Sequence, residues 1–339
     1  MQREIREPQE LLDENGRLSA RGWSRGPLLY YDRDRVAAPK WRLKEWDYYL
    51  VANDDCAVAL TVADNGYMGL VSASVLDFRR PWEHTQSVMK AFPMGRFAMP
   101  ATTRHGDVSY SSKRVGMKFS KAGSRRYLKC EFLNFYEGKH LYVNLRLEEP
   151  EQDSMVIATP FPKSGKAFYY NQKINCMRAS GVVRMGGEEY VFDPAVSFGT
   201  LDWGRGVWTY KNTWYWGSAN CTVDGAPFGF NLGYGFGDTS AATENIAFYG
   251  GVGHKLDQVT FHIPKKDILK PWVISSNDGR FEMEFVPIID RAAKLSAGIV
   301  SSDQHQVFGC FSGQVLLDDG TPIRIRRATG FAEKVINRW

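Results

Sequence analysis

The chain has 339 residues, of which 43% are hydrophobic and 14% aromatic. This composition supports a large core without disulfides or structural metals, and the length suggests about two domains. The 43 basic and 38 acidic residues are scattered along the chain and leave a net charge of +5, which does not indicate a nucleic-acid partner. No stretch approaches the ~18 apolar residues of a membrane-spanning helix.

The cysteines and the N-terminal sequence indicate the cellular compartment of the protein. The five cysteines are odd in number and include no C-x-x-C pair, so we predict neither a disulfide framework nor a zinc site. The N-terminal sequence MQREIREPQELLDENG is charged and lacks the apolar core of a signal peptide. We therefore expect a soluble, cytoplasmic protein that uses no cofactor or metal.

Most of the chain has the period-two alternation of half-buried strands. Residues 127–136 and 141–147 alternate on either side of a Glu-Gly-Lys turn, which predicts a β-hairpin. Helical signals are confined to three short segments, at 7–12, 239–245 and 290–297. Short strands with frequent Gly, Asp and Asn turns predict a mainly β protein built from antiparallel barrels or sandwiches.

The first lobe contains acidic residues in a strand-like segment. Alternation places Glu45, Asp47 and Tyr49 on one face, with Trp46 and Tyr48 on the other. Carboxylates are disfavoured within strands, so their presence needs a reason. They either face water or project across a lobe interface towards a ligand pocket, and the sequence leaves both open.

The clearest boundary signal is the segment 148–165, which opens with a charged run and contains three prolines. Prolines interrupt the hydrogen-bonded ladder of a sheet. A division here predicts two lobes, residues 1–160 and residues 161–339. Each lobe has a size that suits one closed antiparallel barrel.

Residues 197–249 are dense in aromatic residues and glycines. Four of the ten tryptophans lie close together in this block, beside two tyrosines: Trp203, Trp208, Trp214, Trp216, Tyr210 and Tyr215. Such rings fill a core or line a ligand pocket, and dense glycines let a ligand approach the backbone. We interpret the block as a binding cavity for a small molecule and keep a plain aromatic core as the alternative.

Asp202 is the predicted general acid of this block. In an unbroken strand it shares a face with Trp208 and Tyr210, whereas Trp203 and Arg205 point the other way unless a bulge returns Arg205. A carboxyl beside indole rings is desolvated, which raises its pKa and suits proton donation. The alternative is a structural role, as a turn cap or in an ion pair with Arg205. The candidate ligand contacts in this block are Trp203, Arg205, Trp208, Tyr210, Trp214 and Trp216.

Residues 226–237 form a strand pattern with two unlike faces. One face carries aromatic and aliphatic side chains, among them Tyr234 and Phe236, while the other carries only glycines and Asn231. The bare face admits a ligand or a closely packed strand, and Asn231 and Tyr234 are candidate ligand contacts. The G-x-G-x-G spelling lacks a surrounding βαβ unit, which excludes a dinucleotide site.

Polar residues follow this strand in the sequence GDTSAATEN. The spacing of Asp238 and Glu244 predicts a catalytic acid–base pair, with Asn245 as a ligand contact. An equally favoured alternative is that these polar residues cap a short helix. His254 and His305 lie near the dense motifs without H-E-x-x-H or H-x-x-E-H spacing, so we predict hydrogen-bonded histidines rather than metal ligands. No G-x-S-x-G motif is present, which argues against triad hydrolysis.

Several motifs resemble a known family. They are LSARGWSR, KEWDYYLV, LTVADNGYMGLVSAS, LDWGRGVW, GYGFGDTSAATEN, HQVFGCFSG and GFAEKVINRW. Together they are similar to the family called domain of unknown function 2804, over nearly the whole chain. The name of that family supplies no activity.

A more distant resemblance concerns the segment SGVVRMGGEEYVF and the SFGTLDW that follows it. It is similar to the second-lobe pattern of carotenoid 1,2-hydratases and AttH-like proteins, which carry a D-H-E-W signature. This resemblance implies two tandem lipocalin-like barrels with an apolar ligand cavity. Asp202 matches the Asp of the signature, but Trp203, Gly204 and Arg205 stand where His, Glu and Trp would be. The polar pair of the hydratases is therefore absent.

Three functions remain open from the sequence. The first is acid-catalysed conversion of an apolar, isoprenoid-like molecule by a hydratase, cyclase or isomerase, with indole faces stabilising a cation. The second is a carbohydrate-active enzyme, because tryptophans stack on sugars and paired carboxylates cleave glycosides. The third is a non-catalytic lipid carrier. Two carboxyls about 5–9 Å apart across an open groove would favour the second.

Overall fold

The computed structural model describes residues 2–162, 164–297 and 300–338, which include every predicted site residue. These residues form 24 β-strands and two 3-10 helices, Arg33–Arg35 and Lys40–Arg42, and no α-helix. From the N-terminus the strands are β1 (Gln9–Glu10), β2 (Gly22–Ser24), β3 (Leu29–Tyr30), β4 (Leu43–Ala52), β5 (Cys56–Asp64), β6 (Met68–Asp77), β7 (Trp82–Ala91), β8 (Val108–Ser111), β9 (Val115–Ala122), β10 (Arg125–Tyr136), β11 (Lys139–Glu148) and β12 (Met155–Pro160). They continue with β13 (Phe168–Met185), β14 (Glu188–Phe192), β15 (Phe198–Val207), β16 (Lys211–Val223), β17 (Ala226–Tyr234), β18 (Ile246–Tyr249), β19 (Val252–Lys255), β20 (Val259–His262), β21 (Trp272–Ser276), β22 (Phe281–Ala297), β23 (Val300–Leu316) and β24 (Pro322–Arg338).

Two large antiparallel sheets contain almost all of these strands. Within the described residues, the first sheet has thirteen strands, in the order β7-β6-β5-β4-β15-β13-β11-β10-β9-β8, with β12 and β14 attached to β13 and β2 attached to β12. The second has nine, in the order β19-β18-β17-β16-β24-β23-β22-β21-β20. Both sheets are curled into half-barrels. The predicted mainly β fold with two antiparallel lobes is confirmed.

The local predictions have mixed outcomes. Strands β10 and β11 form the predicted hairpin, with Tyr136 paired to Lys139. The predicted helices are wrong: residues 7–12 and 239–245 contain no helix, and residues 290–297 continue β22 in register with β23. Residues 290–297 pair with β23 along their whole length, and this ladder outweighs the modest helix propensity of the Ala, Arg and Lys residues in the segment.

The chain passes from the first sheet to the second between Val207, where β15 ends, and Lys211, where β16 begins. The division between the sheets therefore does not coincide with the predicted lobe boundary at residue 160. Strand β12, inside the proline-containing segment, pairs with β13, and β13 and β15 complete the first sheet. Pro160 ends β12 without ending the sheet, because a proline removes one ladder hydrogen bond and the next strand still pairs with its neighbours.

Side-chain alternation on the central strands divides the core into compartments. On β4, Tyr49 points into the first lobe, where its ring lies 4.9 Å from that of Phe119. Tyr48 points to the other side, towards the second sheet, where its ring lies 5.8 Å from that of Trp216. A hydrophobic cluster fills this space between the sheets; it contains Tyr48, Trp216 and Phe331 of β24. The candidate site lies in the same compartment.

Candidate functional site

Four buried charged side chains meet between the two sheets. Lys173 of β13, Asp202 of β15, Glu244 of the segment before β18 and Glu333 of β24 are each at most 8% exposed. The Nζ atom of Lys173 lies 2.9 Å from Oδ1 of Asp202 and 3.9 Å from Oε2 of Glu244. It also lies 4.0 Å from the centroid of the Trp216 ring. We call these four residues the carboxyl cluster; its ammonium is held by two carboxyls and an indole face.

Strand register brings Lys173 and Asp202 together. The two residues are directly opposite in the antiparallel pair of β13 and β15, so their side chains share a face. Alternation also places Asn171 on this face, and its Nδ2 donates to Oδ1 of Asp202 at 2.6 Å. Asp202 thus accepts from an ammonium and from an amide, an environment that fits a carboxylate. The Oδ1 atom of Asn171 has no hydrogen-bond partner among the described residues.

Glu244 occupies the bare face of the glycine-rich strand β17. A Cβ atom at Gly233 would lie 2.0 Å from Oε1 of Glu244, so the carboxyl fits only because residue 233 has no side chain. Asn231, the one amide on that face, fixes the segment by donating from Nδ2 to the backbone oxygen of Glu244 at 2.9 Å. Its Oδ1 accepts from Nε1 of Trp216 at 2.7 Å. The bare face therefore receives a side chain of the same chain.

Glu333 enters the cluster from the second sheet. Its Oε1 accepts from Nε1 of Trp214 at 2.7 Å, and its Oε2 accepts from Nε2 of Gln306 at 2.9 Å. Gln306 in turn accepts from the hydroxyl of Tyr48 at 3.4 Å. The positive charge of Lys173 lowers the pKa of Glu333, and the negative charge of Asp202 raises it.

Burial shifts the acid–base behaviour of the cluster. Burial raises the pKa of Glu244, with Lys173 opposing the shift, and burial also raises the pKa of Glu333 against its hydrogen bond from Trp214. Burial raises the pKa of Tyr169 well above its ordinary value, and the negative charges of Glu244 and Asp202 add to the shift. Glu244 and Glu333 hence keep a proton to higher pH than ordinary carboxyls do, as a general acid requires.

An aromatic cluster adjoins these carboxyls. Phe236 lies at its centre, with ring centroids 4.8 Å from Tyr169, 5.0 Å from Trp208 and 5.4 Å from Trp214. Trp46 extends it, 5.1 Å from Trp208. Trp214 connects the two groups, since its Nε1 donates to Glu333, and Tyr169 adjoins the carboxyls, since the charges of Glu244 and Asp202 raise its pKa. The three tryptophans are partly exposed, so the rings extend from the surface to the buried acids.

Other predicted site residues lie away from this compartment. Trp203 and Arg205 point into the first lobe, on the far side of β15, where the guanidinium of Arg205 lies 4.2 Å over the Trp203 ring and 3.0 Å from Oδ1 of Asp47. Glu45 and Asp47 thus face the lobe interior, not water and not the carboxyl cluster. Tyr210 lies in the turn after β15 and is 47% exposed, because the strand ends before it.

The polar residues around β17 have structural contacts. Asp238 is half-buried and its Oδ1 accepts from the backbone N–H of Ser240 at 3.0 Å, as in an Asx turn. The Oδ1 atom of Asn245 accepts from the backbone N–H of Gly233 at 2.7 Å. The ring of Tyr234 stacks on Tyr215 at 4.5 Å, within the second lobe.

The two predicted histidines, His254 and His305, each lie beside an aspartate. His305 lies with Nδ1 2.6 Å from Oδ2 of Asp290, and His254 lies 3.4 Å from Asp318. Among the described residues, no group of His, Cys, Asp and Glu side chains is arranged to hold a metal ion. That part of the chain also has no helix long and apolar enough to cross a membrane.

Sequence reasoning identified Asp202, Glu244, Asn231, Trp214 and Trp216, which the structure brings together. It missed four residues of the same compartment: Tyr169, Asn171, Lys173 and Glu333. A usable signal was present in β13, where FYYNQKINCM places four polar side chains in a stretch that is otherwise strand-like. Buried polar residues on a central strand need partners, so this run could have pointed to an internal site.

The chain belongs to the family domain of unknown function (DUF2804), whose model matches residues 2–339. No curated protein matches the chain in sequence.

Solved structures share its fold. An AttH-like protein from Nitrosomonas europaea is 14% identical, with a TM-score of 0.55 over 91% of this chain and 97% of that one. CghA in complex with Sch210972 is 9% identical, with a TM-score of 0.54 over 87% and 88% of the two chains. Kievitone hydratase from Nectria haematococca is 11% identical, with a TM-score of 0.50 over 87% and 88%. At these identities the likeness establishes the tandem lipocalin-like fold.

Proposed function

We propose that this protein converts an apolar small molecule by proton transfer, as a hydratase, cyclase or isomerase, in the compartment between its two sheets. The observation that carries the proposal is a set of three buried carboxyls around one buried ammonium, directly beside the aromatic cluster. Burying several charged groups is costly, and a fold that needed only a core at this point would be more stable with apolar residues there. The fold shared with kievitone hydratase is consistent with this class of chemistry.

Glu244 is assigned as the proton donor. Burial raises the pKa of its carboxyl, and the charge of Glu244 raises the pKa of Tyr169 in the adjoining aromatic cluster, where an apolar substrate would lie. The sequence singles out Asp202 as the acid, but the contacts of Asp202 with Lys173 and Asn171 fit an ionised carboxylate. Asp202 is therefore assigned as the base.

A hydration step follows from these roles. The proton of Glu244 is transferred to one alkene carbon, and the cation formed at the other carbon is stabilised by the indole faces of Trp208 and Trp214. Water bonds to that carbon and gives its proton to Asp202. The unpartnered Oδ1 of Asn171 is available to accept a hydrogen bond from this water. In an isomerisation, Asp202 removes a proton from the neighbouring carbon of the cation instead.

The arrangement suits a glycosidase less well. Glycoside cleavage needs two carboxyls on either side of a groove that is open to a sugar. Here the ammonium of Lys173 lies between Asp202 and Glu244 and contacts both. A sugar ring could not occupy that space without displacing a buried cation.

Solvent-deuterium incorporation tests the assignment. The protein is incubated in heavy water with a panel of isoprenoid and polyene alkenes, and products are read by mass spectrometry. We expect deuterium on carbon with the wild-type protein, and a rate at least about 10²-fold lower for Glu244→Gln and for Asp202→Asn, because each change removes a proton-transfer group. The exposed Glu282→Gln is the matched control and should leave the rate unchanged. Equal rates in all variants, or no incorporation by the wild type, would contradict the proposal.

A further inference from the structure

A row of polar side chains leads from the carboxyl cluster to the surface, on the face of the first sheet that Tyr48 turns to the second. Strand register places its members directly opposite one another on β15, β4, β5, β6 and β7: Asp202, Tyr48, Thr61, Ser72 and Ser87. Asp202 and Tyr48 are each 7% exposed, whereas the other three are half-buried. The row therefore begins at the proposed base and ends at the surface.

An apolar row runs beside the polar one. Its members pair across β4, β5, β6 and β7 and lie two residues from the polar row on each strand, so they share its face: Trp46, Ala63, Leu70 and Met89. Trp46 belongs to the aromatic cluster, and Met89, at the other end, is 59% exposed. We call the two rows together the outer strip; it connects the proposed reaction site with the surface.

Arg291 of β22 reaches the edge of the outer strip from the second sheet. It is directly opposite Gln306 on β23, and its Nη1 donates to Oγ of Ser74, next to the polar row on β6, at 2.7 Å. Burial raises the pKa of Tyr48 to about 12 and also raises the pKa of Glu333, and the positive charge of Arg291 opposes both shifts. Arg291 therefore faces the compartment between the sheets.

Most of the hydrogen-bonding capacity of Arg291 is unused. A guanidinium has five N–H donors, and the bond to Ser74 is the one hydrogen bond that this guanidinium makes with the described residues. No carboxylate of the described part of the chain lies within 4 Å of it. Glu83, the acid on this face of β7, accepts instead from the hydroxyl of Thr85 at 3.2 Å. Because Arg291 is half-buried, its free donors are open to a ligand.

The distance from the proposed base to this cation suits a long apolar chain. Ser74 lies three strands from β15, or ~14 Å at ~4.8 Å per strand. The chain of a sesquiterpenoid covers such a span. Its alkene would then lie at Asp202 and Glu244 while its far end lies at Arg291.

The chemistry of Arg291 indicates the group at that end. The planar fork of a guanidinium matches a carboxylate or a phosphate, whereas a cationic group would be repelled and a neutral alcohol would gain less. We propose that the substrate is amphipathic, with an apolar chain along the outer strip and one anionic group bound by Arg291. This inference rests on the proposed proton transfer, whose substrate it describes more closely.

Four probes that share one chain test the inference: farnesoic acid, farnesyl phosphate, farnesol and farnesylamine. Tryptophan fluorescence of the full chain gives the Kd of each without turnover. We expect at least one anionic probe to bind about tenfold more tightly than farnesol, because an ion pair forms with Arg291. Farnesylamine should bind no more tightly than farnesol. The tighter of the two anionic probes distinguishes a carboxylate substrate from a phosphate substrate.

Two variants identify the cation that is responsible. Arg291→Gln should bring both anionic probes to within about threefold of farnesol, because it removes the charge. Glutamine can still donate to Ser74, and urea unfolding checks that the variant is folded. Arg324→Gln is the matched control, since this arginine is exposed at the other end of β24 and its loss changes the net charge equally. It should keep the wild-type preference.

The outcomes separate this inference from the proposed reaction. The inference is overturned if farnesol or farnesylamine binds as tightly as both anionic probes, if none of the four binds, or if Arg291→Gln keeps the wild-type preference. Deuterium incorporation into alkenes without any anionic preference would contradict this inference and leave the proposed reaction standing. An anionic preference that depends on Arg291, in a protein that incorporates no deuterium, would contradict the proposed reaction and leave the binding site standing.

Discussion

Lys173 holds the carboxyl cluster together at the scale of single residues. Its ammonium contacts Asp202 and Glu244 and lies over the indole of Trp216, with 3% of the side chain exposed. Two carboxyls that share one buried cation depend on it for their charge compensation. The residue acts on the proposed chemistry by setting the protonation of its neighbours, which makes it a positioning residue.

Lys173→Met should destabilise the protein at pH 7 by about 3–5 kcal/mol, because it leaves buried carboxyls without a cation. The loss should shrink at pH 5. A carboxyl with a raised folded-state pKa contributes stability that is fully present below its unfolded pKa and is lost as pH rises through the folded pKa. Burial already raises the pKa of Glu244, and removing Lys173 removes the charge that opposes this shift.

Urea unfolding at pH 7 and pH 5 measures both effects. Lys118→Met is the control, because its ion pair with Asp107 is exposed and should be worth less than about 1 kcal/mol. A loss of the same size at both pH values would show that Lys173 acts through packing and not through charge.

At the scale of elements, strand β17 is shaped to receive Glu244. Gly233→Ala places a methyl group 2.0 Å from the carboxyl oxygen, and the three nearest atoms all belong to Glu244. We expect the variant to unfold at a lower urea concentration and to lose proton-transfer activity, because Glu244 must leave its position.

A double-mutant cycle checks the cause of that loss. Shortening the side chain with Glu244→Ala in the same chain should recover most of the stability lost by Gly233→Ala, so the two effects should not add. Gly116→Ala is the matched control, since a Cβ at that strand position meets nothing within 4 Å. Strictly additive losses would contradict the assigned contact.

The whole molecule is organised around β13 and β15, which belong to the first sheet and line the space shared with the second. A fragment of residues 1–209 contains that sheet complete, whereas a fragment of residues 1–160 lacks its central strands. We expect the longer fragment to unfold cooperatively and the shorter one to lack cooperative unfolding, because β4 would lose its partner β15 and β11 would lose its partner β13. Thermal unfolding followed by circular dichroism distinguishes them, and equal cooperativity would contradict the prediction.

The sequence by itself determined the features that depend on neighbours along the chain. Alternation in β10 and β11 identified strands and their hairpin, because side-chain direction in a strand has a period of two. The same rule separated Asp202 from Trp203 and showed the bare face of β17. The sequence also identified the block that contains much of the site, since its aromatic residues and glycines are adjacent.

Only the tertiary structure decided which residues meet across elements. Lys173 reaches Asp202 through strand register, and Glu333 reaches the same compartment from the last strand; neither pairing leaves a local pattern. Residues 290–297 are helical by propensity and become a strand because β23 supplies hydrogen-bond partners. Whether Arg205 shares a site with Asp202 or pairs with Asp47 depends on what lies on each side of β15. Local sequence sets the direction of a side chain, and long-range packing sets what that side chain contacts.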